Sequence, residues 1–198
     1  RKLTLMESAA RLMEGIAKFD WTQDVYLRGR PHRFGNLDGV LPQQASFDEA
    51  WKWIGANFDP SVSWDDLGFI REHWDGPVVL KGVMSVEDAR LAAEHGLDGI
   101  VVSNHGGRQL DSGVSSLSMV PAIADAVGDR LSVLMDGGVR SGSDVVKAMQ
   151  SGARACLVGR AWAYALAAGG EAGVARMLAT MRSEILAAQR LAAIKRFD

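Results

Sequence analysis

From residue 77 onward, short apolar runs alternate with longer stretches whose apolar residues recur at helical spacing. The runs are Pro77-Val78-Val79-Leu80-Lys81-Gly82, Gly99-Ile100-Val101-Val102 leading into Ser103, Leu131-Ser132-Val133-Leu134-Met135-Asp136, and Ala155-Cys156-Leu157-Val158-Gly159. A short β-branched run that stops abruptly in polar residues or Gly has the pattern of a buried parallel strand. Between the runs, Ser85 followed by Asp88 opens a helix that Gly96 closes, and further helices are predicted over 116–127, 143–150 and 172–195. Strands alternating with helices in this way pair in parallel through right-handed crossovers.

Residues 1–76 have a different pattern. Leu5, Ala9, Leu12, Met13, Ile16 and Phe19 fall on one helical face, followed by the Gly/Pro/His-bearing stretch 27–42 and a Trp-rich segment, 51–64. That face is expected to pack on a core, a membrane-surface or partner-binding role being the alternative. Trp51, Trp53, Trp64 and Trp74 read as packing residues or as cover over an opening. No parallel strand is predicted here. The chain thus divides into a mostly helical and loop connection, 1–76, and an α/β part, 77–198. A closed (β/α)₈ barrel has eight strands and about 250 residues. Four strands after such a connection predict the C-terminal half of a barrel, entered just before its fifth strand.

Composition narrows the function classes. At 198 residues, 47% hydrophobic and 23% charged, the chain is long enough to bury a sizeable core. A formal net charge of −2 without a long Lys/Arg run argues against nucleic acid as the partner and favours a small molecule. The single cysteine, Cys156, reads as a small core residue in a reducing, cytoplasmic compartment. The chain begins Arg1-Lys2 and reads as a cut end, and Glu7 and Glu14 interrupt its apolar residues too early for a signal peptide. No apolar stretch approaches the roughly 18 residues of a membrane span.

The candidate chemistry lies where the strands end. After the second strand come Ser103-Asn104-His105-Gly106-Gly107-Arg108-Gln109-Leu110-Asp111. A titratable base, His105, beside a forked cation, Arg108, suits removal of a proton from a small substrate whose carboxylate is held. Lys81, read as ending the first strand, either places its charge against an electron-rich cofactor ring or forms a structural ion pair inside the barrel. Asp136-Gly137-Gly138-Val139-Arg140 and Gly159-Arg160 follow the third and fourth strands. Glycines let backbone N–H groups approach a phosphate, Arg supplies bidentate charge, and barrels build phosphate sites after strands seven and eight. Asp136 is either a catalytic acid or a cap for backbone amides and ribityl hydroxyls. His32, His73 and His95 carry no chemistry, and no Cys/His spacing suggests a metal.

These segments resemble, in order and spacing, the FMN-dependent 2-hydroxy acid dehydrogenase and oxidase family. The segment 103–111 carries the resemblance most specifically. Residues 53–60 with Trp64, and Gly29-Arg30-Pro31-His32, look most like the bacterial L-lactate dehydrogenases of that family. The resemblance implies FMN as cofactor and gives Lys81 the charge partner of the reduced flavin, with Ser103 near its isoalloxazine ring. It makes His105 the base and Arg108 the carboxylate clamp. Asp136, Gly137, Gly138, Arg140, Gly159 and Arg160 become the ribityl-phosphate site. Family members also carry an aspartate that polarises the catalytic His, further FMN contacts, and a substrate-binding tyrosine and arginine on earlier strands, none of which maps onto 1–198. The missing N-terminal half of the barrel is therefore an expected partner, and the complete enzyme an expected homo-oligomer. By analogy, the segment before the first strand meets the inner face of a membrane in some members. Two other readings compete: a different FMN barrel enzyme, which leaves His105 with Arg108 unexplained, and a catalytically silent FMN- or phosphate-binding half barrel paired with another chain.

Overall fold

The computed structural model describes residues 4–29, 34–43 and 45–194, so Arg30-Pro31-His32 and the expected helix end at Lys195 lie outside the described residues. The chain forms two compact units, Arg1–Val62 and Ser63–Asp198, so 63–76 goes with the α/β part.

The first unit is helical, with no strand among its described residues. α1 (Leu5–Ala17) starts at a capping box in which Thr4 N–H donates to Glu7 Oε2 at 2.8 Å, and Glu7 N–H donates to Thr4 Oγ1 at 3.3 Å. α2 (Phe19–Trp21) runs into a π-helical turn, Thr22–Leu27, and α3 (Phe47–Asn57) has the same box from Ser46 and Glu49. Phe34 stacks on Phe47 with centroids 4.8 Å apart, and Trp51 meets both rings edge-on. The expectation that the α1 face packs on a core is not met: α1 has no buried residue, and Leu5, Leu12, Met13 and Ile16 are exposed. A helix buries an apolar stripe only against a second surface, and this unit has no sheet to supply one. Trp51 and Trp74 are likewise more than half exposed, whereas Trp64 stacks on His95 and packs against the core of its own unit.

The second unit runs α4 (Leu67–His73), β1 (Val79–Val83), α5 (Val86–Glu94), β2 (Gly99–Val102), α6 (Ser116–Val127), β3 (Ser132–Met135), α7 (Gly142–Gln150), β4 (Ala155–Cys156) and α8 (Arg160–Leu191). The strands pair in parallel in the order β1-β2-β3-β4. Ile100, Val102, Val133 and Met135 are all buried in one hydrophobic cluster with Ala89, Ala92, Val120, Ile123 and Val127 of α5 and α6. Their alternates in register, Lys81, Val101 and Leu134, face the other side, outside that cluster. At the N-terminal end of the sheet, Arg71 donates to the Gly76 and Gly96 carbonyls and to Asp98 Oδ2, which also accepts Val78 N–H at 2.7 Å. This clamp sets the entry of β1 and β2, at the end opposite the candidate site. No helix among the described residues is long and apolar enough to cross a membrane.

Three boundaries differ from the sequence pattern. β1 continues past Lys81 to Val83, with a register shift at Gly82 (φ 103°). This is a bulge at a residue free to adopt positive φ. β4 ends at Cys156 rather than Gly159, although Leu157 N–H still reaches the Met135 carbonyl at 2.9 Å. α8 is two helical segments joined at a kink where Gly169 and Gly170 leave helical dihedrals: the second matches the expected helix from 172, and the first, from Arg160, was not predicted.

Candidate active site

At the C-terminal ends of the strands, Lys81, Ser103 and Asp136 converge on the face left open by the helices. Lys81 Nζ lies 2.7 Å from Asp136 Oδ2 and donates to Ser103 Oγ at 2.8 Å. The Ser103 hydroxyl, 3% exposed, in turn makes a short donation to Asp136 Oδ1. Of the two readings of Lys81, the ion pair is therefore formed. Nearly half of the Lys81 side chain stays exposed, leaving the ammonium within reach of a ligand. Lys81 precedes the end of its strand, and the bulge behind it accounts for that offset.

The chain after β2 turns sharply. His105 takes φ 55°, a left-handed conformation that costs a side-chain-bearing residue about 1–2 kcal/mol. Ser103 Oγ accepts His105 N–H at 3.1 Å, and Asn104 Oδ1 accepts Gly106 N–H at 3.0 Å. Asn104 also donates through its N–H to Ser116 Oγ at 3.0 Å and through Nδ2 to the Val114 carbonyl at 3.2 Å. Asn104 and the buried Ser116 were not singled out from sequence. Their only available signal was Asn as a turn-capping residue directly after a strand. His105 and Arg108 are exposed, and none of the described residues bonds the imidazole ring.

Gly137 (φ 90°) and Gly138 (φ 86°) make the turn after β3. Asp144 then fixes that turn to α7, because its Oδ2 accepts N–H donations from Arg140 and Ser141 and the Ser141 hydroxyl. Burial alone would push the Asp144 carboxyl up, but these hydrogen bonds, with Lys147 nearby, hold it below the usual range. Arg160, the first residue of α8, donates Nη2 to the Gly106 carbonyl at 3.1 Å, which joins the end of the fourth strand to the His105 turn. A guanidinium has five N–H groups, so others remain for an anion. A cleft of about 290 Å³ is lined by Lys81, His105, Arg108, Asp136, Gly137, Gly138, Arg140, Gly159 and Arg160. Every residue picked from sequence is there except the buried Ser103, which hydrogen-bonds three of the others, Lys81, His105 and Asp136. Cys156, half-buried in β4, has its thiol pushed up by burial and stays protonated.

A family profile, that of the FMN-dependent dehydrogenases, matches the chain along residues 2–198. The chain belongs to that family. It is 53% identical over 188 residues to an L-lactate dehydrogenase of Caulobacter vibrioides, covering 95% of this chain and 49% of that protein. It is 47% identical over 189 residues to one from Yersinia pestis, covering 96% and 50%. The chain thus spans about half the length of the relatives it matches. Among solved structures it is similar to mandelate oxidase. A variant carrying a monooxide FMN adduct superposes with a TM-score of 0.65 at 50% identity, over 69% of this chain and 43% of that one. A complex with (S)-mandelic acid gives 0.66 at 47%, over 77% and 44%. In this family member, four parallel strands with their helices correspond to part of the barrel of such enzymes.

The donor set fits FMN: Arg140, Arg160 and the turns at Gly137, Gly138 and Gly159, donors suited to an anionic phosphate, line the same cleft as the Lys81–Asp136 pair.

Proposed function

We propose that the chain supplies the cofactor-phosphate, base and carboxylate-clamp parts of an enzyme that oxidises an L-2-hydroxy acid, L-lactate foremost, to the 2-oxo acid. The observation that carries this reading is the convergence of His105, Arg108 and Lys81 on one cleft with the anion-binding turns. The names of the relatives support the substrate class.

Bound FMN supplies the two-electron acceptor. Arg108 pairs its fork with the substrate carboxylate and so orients the carbon bearing the hydroxyl. His105 takes up the proton the substrate loses, its imidazole standing at the rim where a small acid enters. Lys81, steadied by Ser103 and Asp136, places positive charge where the ring gains electron density. Arg140, Arg160 and the glycine turns hold the phosphate, and Asp136 is placed to accept from ribityl hydroxyls.

The test uses the full-length protein that contains this chain, loaded with FMN and mixed anaerobically with L-lactate. His105→Gln is expected to keep FMN and to slow flavin bleaching about 10²- to 10⁴-fold. Bleaching at the original rate would remove His105 from the mechanism. Comparing L-lactate with glycolate and (S)-mandelate then ranks the substrates.

A further inference from the structure

The turn bearing His105 is held in a conformation its sequence does not favour. A residue with a Cβ at φ 55° relaxes to negative φ unless its neighbours forbid it. Ser103 Oγ holds His105 N–H and Arg160 holds the Gly106 carbonyl, and a further restraint comes from a side chain outside the cleft lining. Asn104 Oδ1 accepts from Gly106 N–H on the far side of His105, its Nδ2 donates to Val114, and its own N–H is fixed by Ser116, which is 1% exposed at the start of α6. Gly107 N–H also returns to the Asn104 carbonyl at 3.0 Å. The peptide before Asn104 is thereby tied to α6, the peptide before His105 to Ser103 and Gly107, and the peptide after His105 to the Asn104 side chain, which restrains the backbone on both sides of the imidazole's point of attachment.

We propose that Asn104, anchored by Ser116, is a positioning residue that keeps His105 in its left-handed conformation and so aims the imidazole into the cleft. Resting on His105 as the base, this adds a residue that touches neither substrate nor cofactor yet sets the rate of proton removal. Asn104→Ala removes both side-chain bonds. Asn104→Ser leaves a neutral oxygen that caps the Gly106 amide nearly as well.

The experiment uses the FMN-loaded full-length protein with three readouts: the rate constant of flavin reduction by L-lactate in a single turnover, the retention of FMN, and amide hydrogen exchange over residues 103–109. A rate constant, unlike an amplitude, is insensitive to a loss of folded molecules, so it separates misaimed chemistry from mere damage. Asn104→Ala is expected to keep FMN, to exchange faster over 103–109 and to reduce flavin about tenfold or more slowly. Asn104→Ser is expected to recover most of both changes. Unchanged exchange in Asn104→Ala, or equal impairment of the two variants, overturns the proposal. If His105→Gln slows reduction while Asn104→Ala does not, the positioning role is wrong. If neither slows it, the base assignment is what fails, and the exchange data still decide whether Asn104 holds the turn.

Discussion

Gly142→Ala forces a side chain into the joint between α7 and α8. A Cβ built at Gly142 would lie 2.4 Å from the Met181 carbonyl oxygen, 2.5 Å from the Ile185 nitrogen and 2.6 Å from Glu184 Cβ. Two of these three atoms are the backbone of α8, an i, i+4 pair, so no flexible side chain can step aside. The helices must part, at an overpacking cost of about 1–3 kcal/mol. Parting also stretches the 2.6 Å donation from Gly142 N–H to Glu184 Oε2, a charge-assisted bond of about 1.5–3 kcal/mol, part of which is lost. The gain in helix propensity is small at the first residue of a helix. A net loss of about 2–4 kcal/mol corresponds to a fall in Tm of about 2–5 °C for a full-length protein roughly twice as long as this chain. Calorimetry on the FMN-loaded full-length protein measures it, with Gly68→Ala as the control. Gly68 lies in α4 with nothing within 4 Å of its Cβ position, so that change is expected to be neutral or to stabilise by up to about 1 kcal/mol. A Gly142→Ala protein melting within about 1 °C of the parent would refute the close approach of α7 to α8. Because Arg140 immediately precedes this joint, FMN release is expected to quicken as well.

Arg108→Lys is expected to raise the dissociation constant of oxalate about tenfold, since a point ammonium cannot reproduce the fork; unchanged affinity assigns Arg108 elsewhere. Arg160→Ala should weaken FMN about 10- to 100-fold while barely altering riboflavin, because the missing partner is the phosphate. Equal losses on titration of both ligands would contradict that placement. Asp144→Asn is expected to destabilise at neutral pH and to lose its effect in acid. The folded carboxyl titrates below the ordinary range, so its contribution is complete above about pH 4 and disappears as pH falls through the folded value. Urea midpoints that differ equally at pH 7 and pH 3 would sink the capping role.

The second unit was legible from residue pattern because its signals are local. Short, mostly apolar runs mark β1 to β4, Ser85 and Gly96 bracket α5, and polar or glycine residues at each strand's end mark the rim that lines the cleft. The identities of His105, Arg108, Arg140 and Arg160 name the functions they can serve wherever they sit, since charge and proton affinity belong to the side chain. Tertiary structure alone decided how they meet. That Lys81 pairs directly with Asp136 while both bond Ser103, that Arg160 reaches back to the Gly106 carbonyl, and that Asn104 and Ser116 clamp the turn are contacts between residues far apart in the chain or invisible as motifs. The bulge at Gly82 shifts the register beyond Lys81, and a helical segment from Arg160 that the residue pattern did not show precedes the break at Gly169 and Gly170. In each case local propensity allowed several outcomes, and packing against a neighbour selected one. The α1 face shows the complement: its amphipathic spacing was read correctly as a helix, but periodicity says only that a face is apolar, and the fold decides whether a surface is there to cover it.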